Sequence, residues 1–163
     1  MNINKENSLE KHYTPVWLLE DMNKLIKKHY GSYTSILENS AGEGAIIDYF
    51  KDKNDVPITA YDINNTTNRT DILETDYLKA KVDYVKGRVA VINPPFSKGL
   101  KFVYKALEEC DYCVALLSSN SFLNIDYDKY EVDEIWYYKS ADFITCKQSV
   151  MIIAMKKKIK INE

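Results

Sequence analysis

The stretch best suited to chemistry in this chain is Asn93-Pro94-Pro95-Phe96. Each proline locks its own φ near −65°, so the turn is stiff. An asparagine ahead of them, at the end of an apolar strand, offers fixed acceptors. Its side-chain oxygen and the carbonyl of Pro94 together can accept both N–H bonds of one NH2 group. The ring of Phe96 can stack on a flat, conjugated partner. A proline-stiffened turn with no further role is the plain alternative, because Pro-Pro pairs often mark only that.

A second site-forming stretch is Glu38-Asn39-Ser40-Ala41-Gly42-Glu43-Gly44. A Gly-x-Gly turn between a strand and a helix lets the backbone approach a ligand closely. About 20 residues further on, at the end of the next strand, stands Asp62, placed to bond ribose hydroxyls. The third glycine of the dinucleotide fingerprint is missing, since position 47 is Ile. NAD and FAD are therefore disfavoured, and a nucleoside cofactor without a pyrophosphate fits better. An ordinary tight turn accounts for the two glycines alone; the acid at the right distance favours the ligand site.

These residues need a scaffold, and short apolar runs alternating with helical patterns supply one. Thr14 reads as an N-cap with Pro15 in the first helical position. Leu18, Met22, Leu25 and Ile26 share one face of the helix, and Gly31 stops it. Strands are expected at Ser35–Glu38, Ile58–Tyr61, weakly at Asp71–Thr75, at Val89–Ile92, Cys113–Leu117, Glu134–Tyr138 and Ser149–Met155. Helices are expected at Ala45–Lys53 and Lys98–Glu109. This alternation implies an α/β fold with a mostly parallel sheet and helices on both faces. The last two strands have no helix-length pattern between them and suit an antiparallel pair.

Composition narrows the class. The chain has 163 residues with 22 Lys+Arg against 24 Asp+Glu, a net charge of −2. That length suits one domain, residues 1–163. A protein coated in basic charge is excluded, although a local basic patch is not. No apolar run approaches the ~18 residues that cross a bilayer. The polar start MNINKENSLEKH lacks the apolar stretch of a signal peptide, so no membrane association and a cytoplasmic location are expected. Three cysteines, Cys110, Cys113 and Cys146, are expected as free thiols in a reducing compartment. Cys110-x-x-Cys113 has no second cysteine pair or histidine cluster beside it, so a structural role is expected and no metal site.

Taken together, these motifs resemble the gamma-arranged N6-adenine DNA methyltransferases, which belong to the S-adenosylmethionine (SAM) dependent amino-methyltransferases. Asn93-Pro-Pro-Phe96 is similar to their catalytic motif. His12-Tyr-Thr14-Pro15 resembles the segment that packs around the methionine end of SAM. Leu37 to Gly44 resembles the SAM loop, with Asn39 where the family more often carries Pro. Tyr61-Asp62-Ile63 resembles the ribose-binding acid followed by an apolar residue that covers adenine. Thr75-Asp76-Tyr77-Leu78 resembles the motif whose Asp accepts from the cofactor's adenine amine, with an aromatic beside it. Leu116 to Leu123 resembles a family strand end, and Phe143 takes the place of an aromatic that stacks on the target base. The resemblance runs from Tyr13 to Lys156 in the order of that group.

It implies a Rossmann-like SAM-dependent methyltransferase fold with seven strands, the last antiparallel. Catalytic residues would be Asn93, Pro94, Pro95 and Phe96. Cofactor contacts would come from Thr14, Pro15, Glu38, Ser40, Ala41, Gly42, Gly44, Asp62, Ile63, Asp76 and Tyr77. Phe143 and Lys98 would meet the substrate, a nucleic acid with DNA first. The implied reaction uses no metal and no covalent intermediate. The family's separate target-recognition domain has no counterpart up to Glu163, so a partner chain or a second copy would supply site recognition. Related Asn-Pro-Pro-Tyr/Phe families methylate ribosomal RNA bases or a protein glutamine. A non-catalytic SAM-binding subunit of a larger assembly is a further alternative.

Two features stay open at this level. Lys98, Lys101 and Lys105 share one helix face, either solvated or touching phosphate, opposite Leu100, Val103 and Leu107. Four late tyrosines, Tyr127, Tyr130, Tyr137 and Tyr138, either pack the sheet or offer stacking surfaces to unpaired bases.

Overall fold

The computed structural model describes residues 14–139 and 148–159. His12, Phe143 and Cys146 lie outside the described residues. Seven strands form one sheet: β1 Ser35–Glu38, β2 Ile58–Asp62, β3 Leu73–Glu74, β4 Arg88–Ile92, β5 Tyr112–Ser118, β6 Tyr130–Tyr138 and β7 Val150–Lys157. Among the described residues three α-helices accompany them: α1 Val16–His29, α2 Ala45–Lys53 and α3 Gly99–Glu109. The strand order is β3-β2-β1-β4-β5-β7-β6. Strands β1 to β5 pair in parallel, and β7 runs antiparallel to both β5 and β6. This is the Rossmann-like sheet with an antiparallel last strand that the sequence implies.

Alternation along β4 shows how the layers form. Val89 and Val91 face α1 and α2, packing with Leu18, Met22, Ile46 and Phe50. Ala90 and Ile92 face α3, packing with Phe102, Val103 and Ala106. Every residue of β4 is buried. A strand covered on both faces reads as a continuous apolar run, and Val89-Ala-Val-Ile92 is one.

The chain leaves β1 toward β2 on one side and returns to β4 on the other. In such a sheet ligands bind beyond the carboxyl ends of the strands, where the order reverses. The loop 38–44 and the motif 93–96 both lie there.

Several elements depart from the sequence expectation. Thr14 does not cap α1: Pro15 holds the cap position, and no side chain bonds the first turn. The Thr14 hydroxyl is engaged across the fold instead, as described below. Gly31, at φ +64°, donates its N–H to Ile26 O and closes the helix as expected. A single 3-10 turn, Phe96–Lys98, leads into α3. Strand β6 starts four residues earlier than expected, at Tyr130. Lys105 does not join Lys98 and Lys101 on an outer face. It pairs with Glu109 and lies 4.3 Å from the Tyr77 ring centre, because the buried Glu109 carboxylate needs a cation. Cys110 and Cys113 are free and buried, and burial pushes both thiols up, Cys110 to about 12. His29 is half-buried against Glu134 at 2.6 Å. No helix among the described residues is long and apolar enough to cross a membrane.

Candidate active site

Glu38 ends β1 fully buried. Its Oε1 accepts the Ser40 N–H at 2.9 Å, while Oε2 is buried without a hydrogen-bond partner among the described residues. Burial pushes this carboxyl up to about 8; the Ser40 N–H opposes the shift and the Asp62 charge adds to it. A buried acceptor lacking a donor is costly unless a ligand completes it. The cationic amine of an amino-acid group would be a donor of that kind, and its charge would oppose burial and favour the ionised carboxylate.

Gly42 and Gly44 follow with φ of +54° and +91°, where a side chain would be strained. A Cβ on Gly44 would also lie 2.5 Å from Arg69 Nη1. Arg69 braces this turn. Its guanidinium bonds both oxygens of Asp48 in the first turn of α2, at 2.9 and 2.7 Å, and both oxygens of Asp71, at 2.9 Å each. It holds Asp48 and Asp71 below the usual carboxylate range. Sequence reading missed Arg69. The one available signal was its rarity among lysines, and nothing linear ties it to Gly44.

Asp62 ends β2 and bridges to the glycine turn. Its Oδ2 accepts the Gly42 N–H at 2.7 Å, and its Oδ1 accepts the Asn64 N–H at 2.8 Å. Each carboxylate oxygen carries a second lone pair, so the same group can shape the loop and accept from a ribose. Ile63, next in the chain, is 69% exposed at this edge, which suits a residue that covers a flat ring. Asp76 is half-buried beyond β3, with Oδ1 on the Leu78 N–H at 3.2 Å. Tyr77, expected beside the ligand, is a core residue instead. It is 2% exposed, packs 5.8 Å from Phe102 between ring centres, and gives its hydroxyl to Glu109. It supports the Asp76 segment from behind.

The Asn93 amide stands at the carboxyl end of β4. Its Nδ2 donates to Thr14 Oγ1 at 2.9 Å, which turns the Oδ1 edge of the amide the other way. Thr14 is 4% exposed, so this bond is sheltered from water. Pro94 is buried, and Pro95 O accepts the Lys98 N–H at 3.0 Å, closing the turn that carries Phe96. Phe96 is partly buried against the core under α1. Asn39, 1% exposed, donates to Phe102 O at 3.4 Å and so ties the glycine loop to α3. Lys98 is exposed one turn from Pro95. The structure thus gathers Thr14, Pro15, Glu38 to Gly44 and Asn93 to Phe96 at one switch point, with Asp62, Ile63 and Asp76 along the adjoining strand ends. A groove between α1 and α2, lined by Leu19, Glu43 and Tyr49 among others, touches the glycine loop only at Glu43.

No protein-family model matches this chain, and no curated protein matches it. Solved structures do. PH1948 from Pyrococcus horikoshii, described as a candidate RNA methyltransferase, superposes with a TM-score of 0.74 at 13% identity, over 96% of this chain and 92% of its own. The Listeria monocytogenes protein lmo1582, described as a candidate class I SAM-dependent methyltransferase, gives 0.70 at 14% identity over 94% of this chain and 64% of its own. The 23S rRNA methyltransferase ErmE gives 0.63 at 14% identity, over 85% and 68%. The fold is that of class I SAM-dependent methyltransferases. The residues gathered above lie beyond the carboxyl ends of the parallel strands, the place where open α/β sheets take their ligands. The donor set fits the cofactor: an unsatisfied buried acceptor at Glu38, glycines without side chains at the turn, an acid at the end of β2 and an exposed apolar residue after it.

Proposed function

We propose that this chain is a SAM-dependent N-methyltransferase acting on the exocyclic amine of a nucleic-acid base, adenine N6 in DNA being the first reading. The observation that carries it is the Asn93 amide, held by Thr14 at the carboxyl end of β4 and followed by two prolines.

Glu38 Oε2 would take the cationic amine of the cofactor, Asp62 its ribose and Asp76 its adenine amine. When bound, SAM supplies a methyl group on a sulfonium, a strong leaving group. An adenine amine is a weak nucleophile, because its lone pair is delocalised into the ring. Asn93 Oδ1 and Pro94 O accept its two N–H bonds, favouring a more tetrahedral nitrogen with its lone pair aimed at the methyl. Phe96 stacks on the base, and in a duplex the base must first leave the helix. The residues act by placing two reactants in line and by pre-set acceptors.

RNA is the second reading, favoured by the names of PH1948 and ErmE. Labelled SAM offered in parallel to duplex DNA, single-stranded DNA, RNA and protein extract separates the readings. Label on adenine N6 of DNA supports the first, and label on RNA supports the second. Label on protein alone, or no transfer at all, rejects both.

A further inference from the structure

Trp17 stands on the first turn of α1, three residues after the Thr14 that holds Asn93. It is 39% exposed, while the core face of α1 is carried by Leu18, Leu19, Met22, Leu25 and Ile26. Its ring pairs with that of Tyr138, centres 5.5 Å apart and planes 54° apart. The Tyr138 hydroxyl donates to Asp21 Oδ2 at 2.9 Å, so this ring is held from behind by α1 itself. Burial and the Asp21 charge keep that hydroxyl protonated.

The sheet register places the pair at the edge where the site lies. Tyr138 pairs with Val150, and Val150 with Ser118, the last residue of β5. From β4, which ends beside Asn93, to β6 is three strand spacings, about 14 Å. The Thr14-Pro15 segment and the first turn of α1 link the two places, with Thr14 at Asn93 and Trp17 against Tyr138. Lys139, exposed, follows Tyr138 directly. Of the other three late tyrosines, Tyr137 is exposed next to Tyr138 in β6, while Tyr127 and Tyr130 lie toward the opposite end of that strand, with Tyr130 stacked 4.4 Å from Tyr104.

We infer that Trp17 and Tyr138 form a stacking platform for an unpaired nucleobase that neighbours the target base in the same strand. This rests on the nucleic-acid reading of the Asn93 site. Every base has a π face, so such a platform holds a strand near the catalytic amide without reading its sequence. A rigid aromatic pair also loses little conformational entropy when a base lands on it.

The chain has two tryptophans, Trp17 and Trp136. Trp136 is half-buried with Nε1 on Glu134 at 2.7 Å, and so serves as an internal control. The probe is a short single-stranded oligodeoxynucleotide with one adenine, titrated without SAM while tryptophan fluorescence is read. Quenching is expected in the wild type and in Trp136→Phe, and is expected to disappear in Trp17→Phe. Wild type against Trp17→Phe alone gives the answer should Trp136→Phe unfold. Trp17→Ala should weaken oligonucleotide binding roughly tenfold with SAM affinity unchanged. Removing the bases on both sides of the adenine should abolish the quenching. Quenching that persists in Trp17→Phe, no quenching in the wild type, or unchanged binding by Trp17→Ala overturns the inference. Methyl transfer to the same adenine is scored separately. Trp17-dependent quenching without transfer rejects the enzymatic reading and keeps the platform, whereas transfer that ignores Trp17 rejects the platform alone.

Discussion

Asn93 Nδ2 donates a hydrogen bond to Thr14 Oγ1 at 2.9 Å, joining residues 79 positions apart. The bond runs from the carboxyl end of β4 to the residue that precedes α1. An asparagine amide presents a donor on one edge and an acceptor on the other. A fixed partner for the donor therefore decides where the acceptor points. Thr14→Val removes that partner and keeps the shape of the side chain. Single-turnover methyl transfer should fall about 2- to 10-fold, the worth of one net hydrogen bond, and Thr14→Ser should restore it. Equal rates in Thr14→Val and the wild type would show that the amide is oriented by something else.

Asn93→Ala removes the acceptor proposed for the target amine and leaves the glycine turn untouched. Methyl transfer should be almost lost while SAM affinity by calorimetry stays within a few-fold. Near-normal turnover on the true substrate would remove Asn93 from the mechanism.

Asp62→Ala removes the acceptor for the Gly42 and Asn64 N–H groups together with the acceptor proposed for ribose. SAM affinity should drop roughly tenfold to a hundredfold. Asp62→Asn keeps an oxygen for the Gly42 N–H and should lose less. Calorimetry on the two variants measures the difference, and identical losses would argue that charge, not loop shape, dominates.

Glu38 gives the protein a pH dependence of known sign. Its carboxyl sits near 8 in the folded chain against an ordinary value of 4.5. Between those values the folded state holds a proton that the unfolded state has released. The stabilisation is fully present below about 4.5 and is lost as pH rises through about 8, at no more than about 1.4 kcal/mol per pH unit. Asp48, Asp71 and Glu134, whose carboxyls are held low by cations, act in the opposite sense and only under acidic conditions. Melting temperature followed from pH 5 to 9 should fall more steeply in the wild type than in Glu38→Gln, whose Oε1 still accepts from Ser40. Parallel curves would mean that Glu38 is ionised throughout.

Much of the scaffold was legible because its signals are local. The glycine turn, Asp62 and the proline pair all sit at ends of short apolar runs, and those runs are strands β1, β2 and β4. The helix of residues 45–53 and the strand of residues 35–38 have the bounds expected from periodicity. What escaped was carried by contacts between distant residues. Lys105 lies in phase with Lys98 and Lys101 by spacing, yet a buried Glu109 draws it inward over Tyr77. Tyr77 reads as a neighbour of Asp76, but the turn it sits in sends its ring into the core, against Phe102 and Glu109.

The sequence by itself determined the mostly parallel α/β sheet, its switch point and the residue types that gather there. Strand length, hydrophobic period and turn chemistry act over a few residues, and each is written in the local order of side chains. The tertiary structure alone decided which edge of Asn93 faces the site, which cation braces the glycine turn and which aromatics share the carboxyl edge of the sheet. The Thr14 hydroxyl had a local use as a helix cap and took a distant one. Local order does not show which partner wins when one side chain can satisfy either of two, because packing of the whole chain brings the second partner within reach.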